Sequence, residues 1–528
     1  MDILDEIVAK RKADIAVLGY SYGCEVPERR GRAAPVPFIA QKGAVLEVKR
    51  ASPSKGDIAP GLDAGKTAAC YAAAGAAAVS VLTERNFFKG SLDDLRAVCR
   101  AVDEAAAASG KTPAAVLRKD FLLCPEEVDV AYRCGADAVL LIARILCTEQ
   151  LILMAQRCAA LGMTAFIELR LEEDVEKLRS VAAVVDKRFI VCGVNSRDLS
   201  TFTIDLLVPA GLLATIRSIM GADARVVFES GIRTPRAAAF AGSLGFTGML
   251  LGEAAARSPG EAAALVSAFT GSVVQEGCRN AQTWLRYAAK VRERSLSGRQ
   301  RPFVKICGLT SADDAVYAAG LGADFLGFVF SAGSPRCVSA PAVNSVVSGL
   351  EGAGYRSRVF TVGVVTDMCS AEGQQAFSLL NSGVLDFVQL HGCMQQFLGT
   401  RAAPQGHCAT SAACVAHYGA VHIMEENDIA QLESLGREGE PRILIDACTP
   451  SAAGGTGIRI ADGLVAAAAK KTRLWLAGGV TPGNAGDIAA RFCPELLDVA
   501  SGVESSPGLR TRRPSQRCAA WRRCTGRA

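Results

Sequence analysis

Histidine is scarce in this sequence, and its distribution is uneven. Only four histidines occur among the 528 residues. All of them lie in the second half: His391, His407, His417 and His422. An assembled zinc site is therefore not expected, because such sites draw mainly on histidine and cysteine. Any acid–base chemistry in the first half must use lysine, glutamate or aspartate.

Two motifs that would indicate cofactor or disulfide chemistry are missing. The 19 cysteines are scattered through apolar segments, and none forms a Cys-x-x-Cys pair. This pattern is typical of reduced core cysteines rather than a disulfide framework. No Gly-x-Gly-x-x-Gly dinucleotide signature follows a strand pattern. We expect neither a metal nor an organic cofactor.

Long apolar runs are missing as well. No segment of about 20 uncharged apolar residues occurs, so no membrane span or membrane partner is expected. Residues 1–12 are charged and amphipathic, unlike the apolar core of a secretion signal. These features favour a cytoplasmic location.

The net charge of +5 comes from one end of the chain. Residues 511–528 hold six arginines and no acidic residue, and the remainder has 52 basic against 53 acidic residues. A basic tail can bind nucleic acid. This tail has no stacking aromatic residue beyond Trp521 and no repeated basic surface, so we expect no nucleic-acid partner.

Short apolar runs alternate with helical patterns along most of the chain. Runs that do not alternate in polarity, separated by helices, are typical of parallel strands buried on both faces. The first series comprises runs near residues 44–48, 77–82, 114–117, 138–142, 164–167, 189–194, 225–228 and 247–251. The second comprises runs near 303–306, 325–330, 359–365, 387–390, 420–423, 443–445, 474–476 and 496–499.

Eight runs in each series predict an α/β protein with two (β/α)₈ TIM barrels in tandem. A charged stretch poor in strand signals separates them and is interpreted as a linker. The predicted boundaries are 1–269 for the first barrel, 270–301 for the linker, 302–510 for the second barrel and 511–528 for the basic tail.

Charged and amide side chains follow several runs of the first series. Side chains alternate along a strand, so Glu47 and Lys49 share one face, which in a barrel can point inward. Buried charges are unfavourable unless they are paired or functional. We therefore expect these two residues to converge with Lys119, Glu168 and Asn195 at one mouth of the first barrel.

Glycines follow the last two runs of each series. Gly231 and Gly252 occupy these places in the first series, and Gly479 and Gly502 in the second. Glycine lets bare backbone N–H groups approach an anion, and neighbouring strand ends of a TIM barrel commonly hold phosphate. Both barrels are therefore predicted to bind phosphorylated ligands.

The polar segments of the first half resemble those of the indole-3-glycerol-phosphate synthase family of tryptophan biosynthesis. The segments that carry the resemblance are 47–54, 118–121, 195–199 and 229–232, together with Glu168. The resemblance spans nearly all of residues 1–269. It implies conversion of 1-(2-carboxyphenylamino)-1-deoxyribulose 5-phosphate into indole-3-glycerol phosphate, with loss of carbon dioxide and water.

The same resemblance implies residue roles. Lys119 would donate a proton to the substrate ketone, with neighbours and partial burial tuning its pKa toward the working range. Glu168 would serve the proton transfers of dehydration, and Lys49 would hold the carboxylate until it leaves. Glu47 and Asn195 would orient hydroxyls. The expected substrate-binding residues are Ser52, Phe121, Arg197, Ser230, Gly231 and Gly252.

The second half places a thiol, Cys307, after its first run and a carboxylate, Asp446, after its sixth. Other motifs are 327–330 followed by 334–336, then 388–392 and 454–457. Together these segments resemble the phosphoribosylanthranilate isomerase family over roughly residues 302–508.

That resemblance implies an Amadori rearrangement with Asp446 as acid and Cys307 as base. Lys305 lies two residues before Cys307 on the same strand alternation, and we expect it to assist the thiol. Arg336 would bind the substrate carboxylate. The other expected substrate-binding residues are His391, Gly455, Thr456, Gly478, Gly479, Ser501 and Gly502.

The end of the second half departs from this pattern. Residues 509–514 have no apolar stripe where an amphipathic helix is expected, so the second barrel is predicted to lack a normal final helix. Three interpretations remain open. The first is a monomeric fused enzyme acting on phosphorylated anthranilates. The second is an active synthase joined to a decayed isomerase barrel that stabilises it or mediates interactions. The third is a nucleic-acid binder with a basic tail.

Overall fold

The chain divides into two compact units, Met1–Glu276 and Gly277–Ala528. The computed structural model describes residues 3–53, 55–198, 203–257, 259–272, 279–298, 301–399, 415–447, 459–506 and 509–510. The predicted tail, 511–528, lies outside these residues, so the expected lack of a normal final helix stays a prediction.

The first unit is a closed barrel of eight parallel strands. Nearly every strand residue is buried, which explains why the apolar runs do not alternate in polarity. The strands are β1 Gly43–Val48, β2 Ala78–Leu82, β3 Ala115–Lys119, β4 Ala138–Ile142, β5 Thr164–Leu169, β6 Ile190–Asn195, β7 Val226–Glu229 and β8 Gly248–Leu251. Strands β1 and β8 pair and close the barrel.

Helices alternate with these strands and cover the outside of the barrel. They are Ile3–Leu18, Ala64–Ala73, Leu92–Ser109, Pro125–Arg133, Thr148–Ala160, Glu172–Ala182, Leu207–Met220, Pro235–Ser243, Glu253–Arg257 and Pro259–Gly271. The N-caps illustrate local sequence control: Ser91 and Thr234 each accept a hydrogen bond from a backbone N–H of the first helical turn.

The second unit is also a closed barrel of eight parallel strands. They are β9 Phe303–Cys307, β10 Phe325–Phe330, β11 Phe360–Val365, β12 Phe387–His391, β13 His417–His422, β14 Ile443–Asp446, β15 Leu474–Leu476 and β16 Leu496–Val499. The helices described are Arg279–Leu296, Ala312–Gly320, Ala340–Gly352, Ala371–Ser382, Met394–Gly399, Glu426–Arg437, Asp462–Ala469 and Ala485–Phe492.

The predicted fold class is confirmed: both series of runs form closed parallel barrels. The largest displacement is in β13, which begins at His417 rather than at the expected residue 420. His417 is buried and bonds Val415 O through Nδ1 at 2.6 Å and Glu440 through Nε2 at 3.3 Å. These partners let a histidine begin a buried strand, which the residue type alone does not suggest.

The segment interpreted as a linker contains a helix of the second unit, Arg279–Leu296, here called the closing helix. Trp284 and Tyr287 are almost fully buried, and their rings contact the aromatic residues that begin several strands. The Tyr287 hydroxyl donates to Glu495 at 2.5 Å, and Arg294 pairs with Asp324 at 2.7 Å. The exposed face of this amphipathic helix is charged, so its sequence resembles that of a linker.

Among the described residues, none of the helices combines the length and apolar character that crossing a bilayer requires.

The closing helix should contribute strongly to stability of the second unit. We expect Trp284→Ala to lower its free energy of unfolding by about 3–5 kcal/mol, because a large buried ring is removed. Denaturant unfolding followed by tryptophan fluorescence measures this, since all three tryptophans of the chain lie in the second unit. The control, Leu296→Ala, removes a side chain that is 57 % exposed and should change stability by less than about 0.5 kcal/mol. Equal effects of both substitutions would contradict the packing described.

Candidate active sites

A pocket of about 170 Å³ opens at the carboxyl ends of the first barrel's strands. All eleven site residues expected in the first half line it. They are Glu47, Lys49, Ser52, Lys119, Phe121, Glu168, Asn195, Arg197, Ser230, Gly231 and Gly252. The barrel brings them together because parallel strands end at one rim.

Lys119 lies at the centre of a buried charge cluster. Its Nζ is 3.2 Å from Glu47 Oε2 and 3.4 Å from Glu229 Oε2. Lys49 Nζ approaches the other Glu47 oxygen at 3.1 Å. Beside the cluster, the Asn195 amide donates to Glu168 Oε1 at 3.4 Å. Lys49 and Lys119 thus share the Glu47 carboxylate, and the Glu229 carboxylate also contacts Lys119.

The charges shift the pKa values of these groups in opposite directions. Burial alone would raise the pKa of Glu47, but Lys49 and Lys119 lower it to about 2. For Lys119 the effects are reversed: burial alone would lower its pKa, but Glu47, Glu229 and Glu168 together raise it. The expectation that the Lys119 pKa shifts toward neutral pH is therefore wrong. Three acidic neighbours outweigh the effect of burial and raise the pKa above its ordinary value. Lys119 remains a charged proton donor at neutral pH.

Glu229 joins the cluster without having been singled out as a site residue. It ends β7, and burial together with Glu168 raises its pKa above the ordinary value. Within the described residues its Oε1 has no hydrogen-bond partner. A Cβ at Gly193 would lie 2.1 Å from that oxygen, so the neighbouring strand needs glycine there. The signal was present in the sequence as a glutamate at a strand end, directly before Ser230.

The loops after β7 and β8 form a candidate anion cradle. Ser230 and Gly231 have φ angles of 69° and 83°, in the left-handed region, so the chain turns sharply where β7 ends. A Cβ at Gly252 would lie 2.5 Å from Glu47 Oε1, so the backbone approaches the charge cluster closely. Arg197 lines the same end of the pocket, and burial followed by the charge of Arg233 lowers its pKa. An added anion would relieve the repulsion between these two arginines.

The opposite wall of the pocket is apolar. Phe88 and Phe121 line it with ring centroids 5.9 Å apart, and Lys49 Nζ lies 5.6 Å from the Phe88 ring centroid. Ile3 and Ile7 of the first helix contribute aliphatic surface. A ligand with an aromatic ring at one end and a phosphate at the other matches this division of the pocket.

The second barrel has a pocket of about 150 Å³ at the corresponding rim. Of the residues expected there, the pocket is lined by Cys307, Arg336, His391, Asp446, Gly478, Gly479 and Ser501. Gly455 and Thr456 lie outside the described residues. Gly502 follows Ser501 directly, and a Cβ there would meet Val480 O at 2.2 Å.

Lys305 lies inside the barrel, two residues before Cys307. It is fully buried, pairs with Asp498 Oδ2 at 2.6 Å and donates to the Gln389 side chain. Burial would lower the Lys305 pKa, but Asp498 and Cys307 raise it well above its ordinary value. Lys305 thus keeps a positive charge close to the Cys307 side chain.

Asp446 ends β14 and faces the same pocket. Burial and the nearby Asp498 raise the pKa of Asp446 to about 7. A carboxyl group that is half protonated at neutral pH is suited to general acid catalysis.

Arg336 forms a bidentate pair with Glu504, with contacts of 2.9 Å and 2.7 Å to the two carboxylate oxygens. A Cβ at Gly308 would lie 2.5 Å from Arg336 Cδ, so glycine there, at a φ of 80°, lets the arginine cross the rim. A planar guanidinium held in this way can present its outer edge to a ligand carboxylate.

Fold and candidate sites define a tandem (β/α)₈-barrel enzyme with a pocket of acidic and basic side chains at one mouth of each barrel. Residues 6–267 match the family model "Indole-3-glycerol phosphate synthase", and residues 304–513 match "N-(5'phosphoribosyl)anthranilate (PRA) isomerase". The chain belongs to the indole-3-glycerol phosphate synthase family through its first half, and an isomerase-family domain follows in tandem.

Individual relatives agree with both matches. The multifunctional tryptophan biosynthesis protein of Schizosaccharomyces pombe is 29 % identical over 95 % of this chain and 64 % of its own length. That of Phycomyces blakesleeanus is 30 % identical over 87 % of this chain and 60 % of its own. The indole-3-glycerol phosphate synthase of Rhodopirellula baltica is 38 % identical over 49 % of this chain and 95 % of its own. The chain thus spans less than two thirds of these multifunctional relatives.

The charge cluster should make stability of the first unit depend on pH. The Glu47 pKa is lower in the folded state than in the unfolded chain, so its contribution is present above pH 4.5 and is lost as pH falls toward 2. Glu47→Gln should therefore destabilise the first unit by about 3 kcal/mol at pH 7. The difference from the unsubstituted protein should shrink below pH 4.5. Denaturant unfolding followed by circular dichroism measures both.

Glu176→Gln is the matched control, because the Glu176–Arg179 pair is largely solvent-exposed. It should change stability by at most about 0.5 kcal/mol at either pH. A Glu47→Gln effect that is equally small, or that is constant with pH, would contradict the cluster's electrostatics.

Proposed function

We propose that the chain catalyses two reactions on phosphorylated anthranilate derivatives. The second barrel isomerises N-(5-phosphoribosyl)anthranilate to 1-(2-carboxyphenylamino)-1-deoxyribulose 5-phosphate. The first barrel closes the ring of that product to give indole-3-glycerol phosphate. The single observation that carries the proposal for the first barrel is the Lys119 ammonium held between two carboxylates, opposite an aromatic wall and beside an anion cradle.

In the first pocket, the sugar phosphate binds at Ser230, Gly231 and Gly252, and the anthranilate ring lies along Phe121. Charge complementarity supports this orientation, because the cationic Arg197 is at the phosphate end. Ser52 lines the same pocket and helps to position the substrate.

Lys119 donates its proton to the substrate ketone as the ring closes. Its raised pKa keeps it protonated until negative charge develops on that oxygen. Lys49 holds the carboxylate that leaves as carbon dioxide. Glu168, whose pKa burial raises, and Asn195 then serve the loss of water, and Glu47 keeps both ammonium groups in place.

In the second pocket, Asp446 protonates the ring oxygen of the ribose and Cys307 removes the proton from the neighbouring sugar carbon. Asp446 with a raised pKa and Lys305 beneath the thiol support these two roles. Arg336 binds the substrate carboxylate. His391 lines the sugar side of the pocket, and Gly478, Gly479, Ser501 and Gly502 bind the phosphate, with Gly455 and Thr456 as expected partners outside the described residues.

The alternative of a decayed isomerase barrel is not favoured. The second barrel is closed, its acid and thiol share one pocket, and the buried Lys305–Asp498 pair is intact. Among the described residues, those that line each pocket belong to one unit of the chain. We therefore propose that the protein acts as a monomer.

Two substitutions in the full chain separate the two activities. Lys119→Met should lower kcat of ring closure at least about 100-fold, because the proton donor is lost, and should leave isomerisation unchanged. Cys307→Ala should do the reverse. Anthranilate fluorescence follows isomerisation, and absorbance of the indole product follows ring closure. Each variant is the folding control for the other. Undiminished ring closure by Lys119→Met, or no isomerisation by the unsubstituted protein, would contradict the corresponding assignment.

A further inference from the structure

Two imidazole rings meet at one corner of the second pocket. His391 ends β12 and His422 ends the adjacent strand β13. Their Nε2 atoms lie 2.8 Å apart, whereas Asp446 Oδ2 lies 3.8 Å from His391 Nε2. The strand register places His422 directly opposite Asp446. His422 has no role in the function proposed above, yet it contacts a residue beside the proposed acid.

The hydrogen bonds beneath this corner determine which nitrogen of His391 carries the proton. Lys305 donates to Gln389 Oε1, and the Tyr418 hydroxyl donates to the same oxygen at 3.1 Å. A lysine ammonium has only donors, so Gln389 must present its oxygen to Lys305 and its NH₂ to His391 Nδ1, at 3.2 Å. Nδ1 is thus an acceptor. Neutral His391 therefore carries its proton on Nε2.

The proton on His391 Nε2 is shared with His422 in this structure. A contact of 2.8 Å between two ring nitrogens needs one donor and one acceptor, so His422 accepts. Burial, the charge of His422 and that of Lys305 lower the His391 pKa to about 4. Burial also lowers the His422 pKa, against the effect of Asp428. Both rings are neutral near pH 7, as this hydrogen bond requires.

A metal ion is the competing interpretation of the same corner. One ligand atom each from His391, His422 and Asp446 lie within 4.8 Å of one another. Coordination through His391 Nε2 would move its proton to Nδ1, where it would point at the Gln389 NH₂ group. Two donors would then face each other inside the barrel. The hydrogen bonds from Lys305 through Gln389 to His391 therefore favour a proton, rather than a metal ion, between His391 and His422.

We propose that His422 is a positioning residue for the isomerase reaction: by accepting the His391 proton it withholds that donor from Asp446 and keeps Asp446 in its acidic form. This inference rests on the isomerase function proposed above. When Asp446 releases its proton, the new carboxylate attracts the His391 N–H away from His422. The pair therefore exchanges one hydrogen bond for another and neither gains nor loses a proton.

The His391–His422 pair neither supplies nor takes up a proton in the isomerase reaction. The Asp446 O–H bond breaks as the ribose C1–O bond opens and the ring oxygen becomes a hydroxyl. The Cys307 thiolate then takes the C2 proton, the electron pair forms the enol amine, and the enol tautomerises to the ketone with an internal exchange of one proton. Solvent returns to Asp446 the proton that Cys307 later releases.

Several other groups act on Asp446. Burial is the largest influence and Asp498 the next, and both raise its pKa, while the Ala447 N–H and Lys305 lower it. Cys307 lines the same pocket, and His422 in turn faces Asp428 on the following helix. A substitution at His422 leaves all these groups in place and changes only the acceptor available to His391.

The test compares His422→Leu with His422→Gln in the full-length protein. Leucine cannot accept, so His391 should donate to Asp446 and lower its apparent pKa by about one unit. The isomerase kcat/KM should then fall about tenfold at pH 8 but less than about twofold at pH 6. Glutamine offers a carbonyl oxygen to His391 and should keep the unsubstituted pH profile. A loss by the same factor at every pH, or an equal loss in both variants, would overturn the proposal.

A second measurement does not depend on activity. Spectra of ¹⁵N-histidine protein should show His391 protonated at Nε2 and unprotonated at Nδ1, and only four histidines need assignment. The opposite tautomer would overturn the proposal, as would isomerase activity that a chelator abolishes and Zn²⁺ restores. An unsubstituted protein with ring-closing but no isomerase activity would instead contradict the proposed function, and the spectra would still decide the tautomer.

Discussion

The first pocket depends on the mutual neutralisation of charges buried at the ends of parallel strands. Desolvating an ammonium or carboxylate group is unfavourable by several kcal/mol, and attraction offsets it only where the geometry is close. Lys119 meets this condition because Glu47 and Glu229 approach it from two other strands. Glycine at positions 193 and 252 gives the two carboxylates room. The cluster is therefore complete only in the closed barrel.

The second pocket also depends on a buried pair of opposite charges, but this pair lies deeper in its barrel. Its lysine, Lys305, is fully buried and paired with Asp498, so it is placed to influence the rim rather than to contact ligand. Through Gln389 it sets the protonated nitrogen of His391, and its charge lies beneath Cys307. The two barrels thus share an architecture but differ in which residue is exposed to the pocket: the ammonium in the first, a carboxyl and a thiol in the second.

Most of this arrangement could be predicted from sequence because its determinants are local. The apolar runs locate sixteen strands, and the polar residues that end them must meet at one rim. What could not be predicted depends on contacts between distant strands. The direction of the Lys119 pKa shift requires Glu229, 110 residues away, to be placed beside it. The closing helix could not be predicted, because Trp284 and Tyr287 are buried by contacts with strands that are distant in the sequence.

The central claim is that Lys119 contacts the reacting ketone while the cradle after β7 and β8 holds the phosphate. A crystal structure of the chain with the reduced, unreactive form of 1-(2-carboxyphenylamino)-1-deoxyribulose 5-phosphate tests it most directly. The account predicts Lys119 Nζ within about 3.2 Å of the oxygen derived from the ketone, with the phosphate on the N–H groups of Gly231 and Gly252. A ligand bound in the first barrel with its phosphate at the Phe121 wall, or with that oxygen beyond hydrogen-bond reach of Lys119, would contradict it.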